Sequence, residues 1–284
     1  MHQNGALPDN INMSALHNIK KMALIVGNGE FPVFLSKTAK ALDIDLVMIK
    51  IKNEATADLG RYSDKIYSIE LGEGRKLLDI LKRENIQYLT LAGKIKKTTI
   101  FQQAFKMDEV VKGVLKNVFD KRDDTIVKTV EQRLKKEGII LINSTLFLKD
   151  FMAKKQNYTR KKPTLIEKQD IAFGFKMAKA IGGLDIGQTV AVKQKAVVAV
   201  EAIEGTDQAI IRAGQITPGV VVVKTSKPDQ NMRYDIPTIG INTIKTMIKA
   251  KASVLAIESE KVLILNKDLV VKKANKAGIC VVAV

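Results

Sequence analysis

The 284-residue sequence has no tryptophan, one cysteine and two histidines, and each scarcity removes a class of function. Cys280 has no partner for a disulfide within the chain, which suits a reducing compartment and a cytoplasmic protein. It sits in the apolar run "GICVVAV" and reads as a small buried hydrophobe, not a nucleophile. His2 and His17 both lie in the N-terminal stretch, which excludes a Cys/His or Ser/His/Asp site and a His-based zinc site. Nine phenylalanines and five tyrosines, with no repeated aromatic–basic pattern, leave no platform for stacking nucleic-acid bases. No apolar run approaches the length of a membrane-spanning helix. Residues 1–21 lack the apolar core of a signal peptide and read as a flexible leader, with Met13 and Met22 as alternative starts.

What is present is charge and apolar bulk. The formal net charge is +17, yet the lysines are spread through every segment and are not gathered into one arm. Solvated lysine-rich faces explain that plainly; attraction to anionic lipid head groups or to a polyphosphate ligand explains it functionally. Apolar residues make up 46% of the chain, enough for a sizeable core, and the length suits two domains.

Periodicity orders the chain. "MALIVG" (22–27) reads as a strand, "GNGEFP" as a turn, "VFLSKTAKALDI" as a helix, and "DLVMIKI" (45–51) as the next strand. Strands follow over 64–71, 86–93 and 138–144, with helices over 74–85 and within 108–137. The polar, basic "FMAKKQNYTRKKP" (151–163) marks the domain boundary, placed between 155 and 156. Beyond it come a helix over 167–185, a hairpin of strands 188–194 and 196–205, and a helix over 206–216 capped by Thr206 or Asp207. The strand 219–226 and a helix with Ile241, Ile244 and Ile248 on one face come next. "SVLAIES" and "KVLILN" then read as a hairpin, before a helix capped by Asn266 and a final strand. The expected class is α/β: a Rossmann-like parallel-sheet domain over 22–155, then a second α/β domain with a mixed sheet over 156–284.

Three stretches carry candidate chemistry. "GNGEFP" has two of the three glycines of a dinucleotide fingerprint, with Pro32 in place of the third and lysines where a ribose-binding acid is expected. That argues against NAD, although Gly27, Asn28 and Gly29 could receive a phosphate or a sugar hydroxyl. "VEAIEGTD" (200–207) turns Glu201 opposite to Glu204 in strand geometry, so Glu204 and Asp207 are the pair able to converge. The plain reading has Asp207 capping a helix and Glu204 in solvent; the other has both on a divalent cation, which prefers oxygen ligands. "KPDQNMRYDIPTIG" (227–240) holds Lys227 and Arg233, cations of the kind a diphosphate requires, and Asp235, able to hold a metal or position water. Its plain alternative is an edge Arg–Asp pair worth little.

"IVGNGEFP", "LDIGQ" (184–188), "VVAVEAIEGTD", "IRAG" (211–214) and "KPDQNMRYDIPTIG" occur together in this order. In this the chain resembles the LpxI family, the UDP-2,3-diacylglucosamine pyrophosphatases of lipid A synthesis, from about residue 22 to its end. The resemblance implies hydrolysis of UDP-2,3-diacylglucosamine to lipid X and UMP with a divalent cation, usually magnesium. It places substrate between two domains and water at the phosphorus of the UMP moiety. It puts the catalytic carboxylate on Asp235, also a metal ligand candidate with Glu204 and Asp207. The substrate contacts it suggests are Gly27, Asn28, Gly29, Asp185, Gln188, Thr206, Lys227 and Arg233. It further implies a homodimer. A basic surface touching the inner leaflet of the cytoplasmic membrane would serve the acylated substrate, and the scattered lysines and few aromatics argue against a nucleic-acid partner. The competing class is a basic, non-catalytic protein that holds nucleic acid or anionic lipid.

Overall fold

The structure, a computed structural model, describes residues 18–55, 58–93, 95, 107–116, 123–148, 151–228, 230 and 236–284. They fall into two compact units that divide between residues 148 and 149.

The N-terminal unit is built on β1 (Lys21–Val26), whose parallel neighbours are β2 (Asp45–Ile51) and β4 (Tyr88–Ala92). With β3 (Lys65–Ile69) and β5 (Ile140–Leu141) the sheet order is β3-β2-β1-β4-β5, all parallel. Helices α1 (Phe31–Ala41), α2 (Gly74–Arg83), α3 (Glu109–Leu115) and α4 (Asp123–Lys136) follow strands, as parallel crossovers require. Pro32 sits in the first turn of α1, where its missing N–H costs nothing. Strand β1 lies where the order reverses, so the turn after it is at the topological switch point, where open α/β sheets place ligands. Gly27 N–H in that turn donates to Ala92 O at the end of β4, 2.8 Å away.

Two carboxylates in this unit tie its scaffold together. Glu84, just past α2, accepts from Tyr67 Oη at 2.6 Å, Lys65 Nζ at 2.8 Å and Lys21 Nζ at 3.2 Å. Hydrogen bonds from Lys65, then from Tyr67 and Lys21, hold its carboxyl down at about 2. Glu137, after α4, is likewise held at about 2 by Lys82 and Arg133.

In the C-terminal unit the six-stranded order is β6-β13-β11-β9-β7-β8. Here β9 (Val221–Lys224), β11 (Val254–Ile257) and β13 (Cys280–Ala283) are parallel, flanked by antiparallel β6 (Gln156–Asn157) and β7 (Thr189–Lys193), with β8 (Ala196–Val200) outermost. Alternation sorts the side chains: Val221, Val223, Val254, Ala256, Cys280 and Val282 pack with α5 (Leu165–Gly183). Val222, Leu255, Ile257 and Val281 face α6 (Thr206–Ile216), α7 (Ile241–Lys249) and α8 (Lys267–Lys276). Both faces being covered is why these strands read as unbroken apolar runs. Cys280 is buried, and burial pushes its thiol up, as expected of a packing residue. Thr164 and Glu167 form a capping box at the start of α5.

The β7–β8 turn uses Gln194 and Lys195, both at positive φ (49° and 58°). Asp170, on α5 and 3% exposed, accepts from Gln194 N–H at 2.9 Å and Lys195 N–H at 2.7 Å.

Several expectations change. "KVLILN" does not pair with "SVLAIES": β12 (Leu263–Ile264) runs parallel to β10 (Thr238–Ile239) in a separate two-stranded sheet. On α7 the buried residues are Ile244 and Met247, while Ile248 is 39% exposed. The cap of α6 is Gly205, not Thr206 or Asp207, and Asn266 precedes α8 in the left-handed region without a side-chain cap. Within "FMAKKQNYTRKKP", Met152 bridges Leu263 and Gln156–Asn157 pair with β13. Among the described residues, no helix is long and apolar enough to cross a membrane.

Candidate functional site

Strands β9 and β11 end at one edge of the C-terminal sheet, and antiparallel β7 begins there. Thr189 pairs with Lys224, and Lys224 with Ile257, so the register brings residues 188–189, 200–201, 224–226 and 257–258 together. Glu201 N–H donates to Thr189 O at 2.9 Å, Thr225 N–H to Gln188 O at 3.0 Å, and Glu258 N–H to Lys224 O at 3.1 Å.

The side chains at this edge are polar and buried. Lys224, only 2% exposed, donates from Nζ to Thr206 Oγ1 at 2.8 Å, and Thr206 Oγ1 donates to Glu201 Oε1 at 2.7 Å. The other oxygen of Glu201 lies 3.4 Å from Gln188 N–H. Beside them Glu258 accepts from Lys179 Nζ at 2.8 Å, Ser226 N–H at 2.7 Å and Ser226 Oγ at 2.9 Å. Burial pushes the Glu258 carboxyl up, but the bonds from Lys179 and Ser226 outweigh it and hold it below the usual range. Lys227 Nζ reaches Asp185 Oδ1 at 2.5 Å. Among the described residues of this unit, Gln188 Oε1, Thr189 Oγ1 and Thr225 Oγ1 are buried with no hydrogen-bond partner. Buried polar atoms are nearly always paired, so three orphans at one edge mark where water or a ligand group belongs.

The motif glycines explain part of this geometry. A Cβ on Gly187 would lie 2.1 Å from Glu201 O, so only glycine lets 187–188 run against the Glu201 backbone. Gly214 brings α6 as close to α7: its Cβ would sit 2.4 Å from Ala250 O.

Of the sequence-picked residues, Asp185, Gln188, Thr206 and Lys227 lie in or beside this cluster. Gly27, Asn28 and Gly29 lie in the N-terminal unit, at the turn after β1. Asp235 and Arg233 lie outside the described residues; the chain enters that stretch from Lys227–Pro228 and leaves it at buried Ile236. Glu204 and Asp207 stay exposed. Glu204 pairs with Arg212 at 2.6 Å, and its own backbone N–H, with Arg212, holds its carboxyl low. The strand ends at Val200 and a turn closes from Ala202 O to Gly205 N–H, so strand alternation does not extend to Glu204. Hence Glu201, turned away in the sequence reading, is the buried acid.

Lys224 was hidden within an apolar strand run, and Lys179 and Glu258 within a helix and a strand end. A lysine closing four β-branched residues ahead of Thr-Ser was the available signal. Oxygen donors for a divalent cation do not assemble here by themselves. Glu258 is saturated by Lys179 and Ser226, Glu201 already accepts from Thr206, and among the described residues no group of three or more His, Cys, Asp or Glu could hold a metal.

Comparison with known proteins decides the lineage. Residues 21–151 match the model of the LpxI N-terminal domain and residues 154–282 that of the LpxI C-terminal domain. The chain belongs to the LpxI family. A curated relative, the UDP-2,3-diacylglucosamine pyrophosphatase LpxI of Caulobacter vibrioides, is 27% identical over 278 residues, covering 94% of this chain and 98% of the relative. Among solved structures, a biotin carboxylase domain of a thermophilic 2-oxoglutarate carboxylase aligns with 70% of this chain and 33% of its own, at 14% identity and a TM-score of 0.27. The biotin carboxylase subunit of a pyruvate carboxylase gives 13% identity and a TM-score of 0.28. Likeness at that level carries no argument. The LpxI C-terminal model spans the whole strand-end cluster, from Lys179 to Glu258.

Proposed function

We propose that this chain hydrolyses the diphosphate of UDP-2,3-diacylglucosamine, releasing lipid X and UMP for lipid A synthesis. The observation that carries the reading is the match of both LpxI domain models, end to end, with a relative of that activity covered over 98% of its length.

The strand-end cluster suits the task. A diphosphate repels nucleophiles, and fixed cations in a water-poor setting relieve that repulsion without reorganising during the reaction. Lys224 supplies such a cation, its Nζ fixed by Thr206, which Glu201 orients in turn. Lys227 supplies a second at the mouth of the segment leading to Arg233 and Asp235. The orphan hydroxyls of Thr189 and Thr225 can donate to the substrate's sugar or phosphate oxygens, and Gln188 Oε1 can accept from a sugar hydroxyl. Asp235 remains the carboxylate assigned to orient the water, and Gly27–Gly29 the phosphate or sugar contact from the N-terminal unit. Magnesium belongs to the reading as neutraliser of diphosphate charge, with Asp235 as its ligand; no step is derived through it. A homodimer and peripheral contact with the inner leaflet are further parts, read out by sedimentation alone and with vesicles.

The test is to incubate the purified chain with the diacylated UDP-sugar in ¹⁸O-water, with magnesium or with EDTA, and to chromatograph the products. Lipid X with ¹⁸O in the UMP supports the reading; ¹⁸O in lipid X would move the attack to the other phosphorus. Intact substrate under both conditions would leave the non-catalytic anion-binding alternative.

A further inference from the structure

The C-terminal unit has a second electropositive feature, at the β6 edge of its sheet. A groove of about 660 Å³ runs between α8 and the chain through β6, lined by Gln156, Tyr158, Arg160, Lys267, Lys272 and Lys276 among others. Strands β13 and β11 separate β6 from β9, so the groove is not the strand-end cluster.

The cations of this unit that pair with carboxylates lie elsewhere. Asp185, Glu204, Glu167 and Glu258 are paired with Lys227, Arg212, Lys161 and Lys179. Arg160, Lys267, Lys272 and Lys276 make no ion pair among the described residues, and Asp268 is the lone carboxylate on the groove wall. The walls are fixed. Tyr158 Oη accepts from Lys154 N–H at 2.7 Å and donates to Lys154 O at 3.0 Å. Asn275 Oδ1 accepts from Arg160 N–H at 2.8 Å, pinning the Arg160 segment to the last turn of α8.

The spacing sets the ligand's size. Lys272 and Lys276 are one helical turn apart, about 6 Å along the axis, while Lys267 lies about 13 Å from Lys276. One phosphate cannot reach both ends. At the far end the helix N-terminus reinforces Lys267; at the near end its C-terminal partial charge of about −0.5 is outweighed by Arg160, Lys272 and Lys276. The Tyr158 ring and Val271 supply an apolar stretch of wall.

We propose that this groove is a second anion site, taking an extended ligand that places a phosphate between Arg160, Lys272 and Lys276 and a further anionic group near Lys267. Two sources carry that chemistry: a soluble nucleoside diphosphate, and the phosphate head groups of an anionic lipid surface. The proposal goes beyond the hydrolytic reading and stands or falls without it.

The experiment uses the full chain and two probes. ADP is titrated calorimetrically, and vesicles of phosphatidylcholine, with and without phosphatidylglycerol, are co-sedimented. Lys272→Glu/Lys276→Glu is compared with Lys245→Glu/Lys249→Glu, an equal change of charge with the same spacing on exposed positions of α7. The groove variant weakens ADP binding about tenfold or more, or abolishes phosphatidylglycerol-dependent sedimentation, and the α7 variant does neither. Loss of ADP binding alone identifies the soluble source, and loss of sedimentation alone the lipid. Hydrogen exchange of the unaltered chain with the bound probe shows protection over residues 156–160 and 267–276, a readout that needs no variant to fold. Equal losses in both variants, unchanged binding in the groove variant, no binding of either probe, or protection confined to other segments would overturn the proposal.

Discussion

Two clusters, one in each unit, treat their charged side chains in opposite ways. In the N-terminal unit the strongly held carboxylates, Glu84 and Glu137, sit where helices end and receive two cations each, which ties the scaffold together. In the C-terminal unit polar groups are drawn into a strand edge, with Lys224 buried and three neighbouring polar atoms left unbonded among the described residues. The first arrangement closes its hydrogen-bonding capacity; the second keeps some open. A site that is to receive a ligand needs the second.

The sharpest way to break that contrast is Lys224→Met, which keeps the bulk and removes the ammonium. On the proposed hydrolysis, kcat/KM falls about 10²- to 10³-fold, whereas Glu84→Gln leaves it unchanged; product assays on both variants check this. An equal loss in the two would erase the distinction.

Gly214→Ala comes next. Its Cβ would press on Ala250 O, backbone that cannot swing aside, and overpacking of this kind costs about 1–3 kcal/mol. Denaturant melts should show the loss, and hydrogen exchange should locate it in α6 and α7 and not in β1–β4.

Acid should expose the ion pairs of the N-terminal unit. The folded carboxyls of Glu84 and Glu137 titrate near 2 against an ordinary 4.5. Lowered folded values mean that their stabilisation is complete above pH 4.5 and is lost as pH falls toward 2. Glu84→Gln/Glu137→Gln should therefore flatten the pH dependence of N-terminal unfolding in that window, read by hydrogen exchange. An unflattened profile would mean that other groups set it.

The smallest effect is expected at Arg212→Ala. Its pair with Glu204 is exposed, worth about 0–1 kcal/mol, and neither the melt nor turnover should move measurably.

Much of the fold was legible because strand and helix periods are strong. The apolar runs "ALIV", "DLVMIKI" and "VVVV" and the Gly205 and Gly278 breaks all fall on the observed elements. What escaped was long-range or short. The pairing of β12 with β10 joins residues 25 apart in sequence, and nothing local distinguishes it from a hairpin with β11. The two polar residues of β6 have no period to read. At the site, Gln188, Thr206 and Lys227 stood out through their motifs, but Glu201 was misdirected because strand geometry was extended past Val200. Lys224 was absorbed into an apolar run, since a sequence shows that a lysine ends a strand but not what waits for its ammonium.

Asp170 acts at a distance from all of this. By gripping the two amides at the hairpin tip, it locks how β7 and β8 slide against each other. A slip of a single position would turn Thr189 and Glu201 toward the opposite side of the sheet. The polar edge is thus set like a combination dial, from a knob at the other end of the strands.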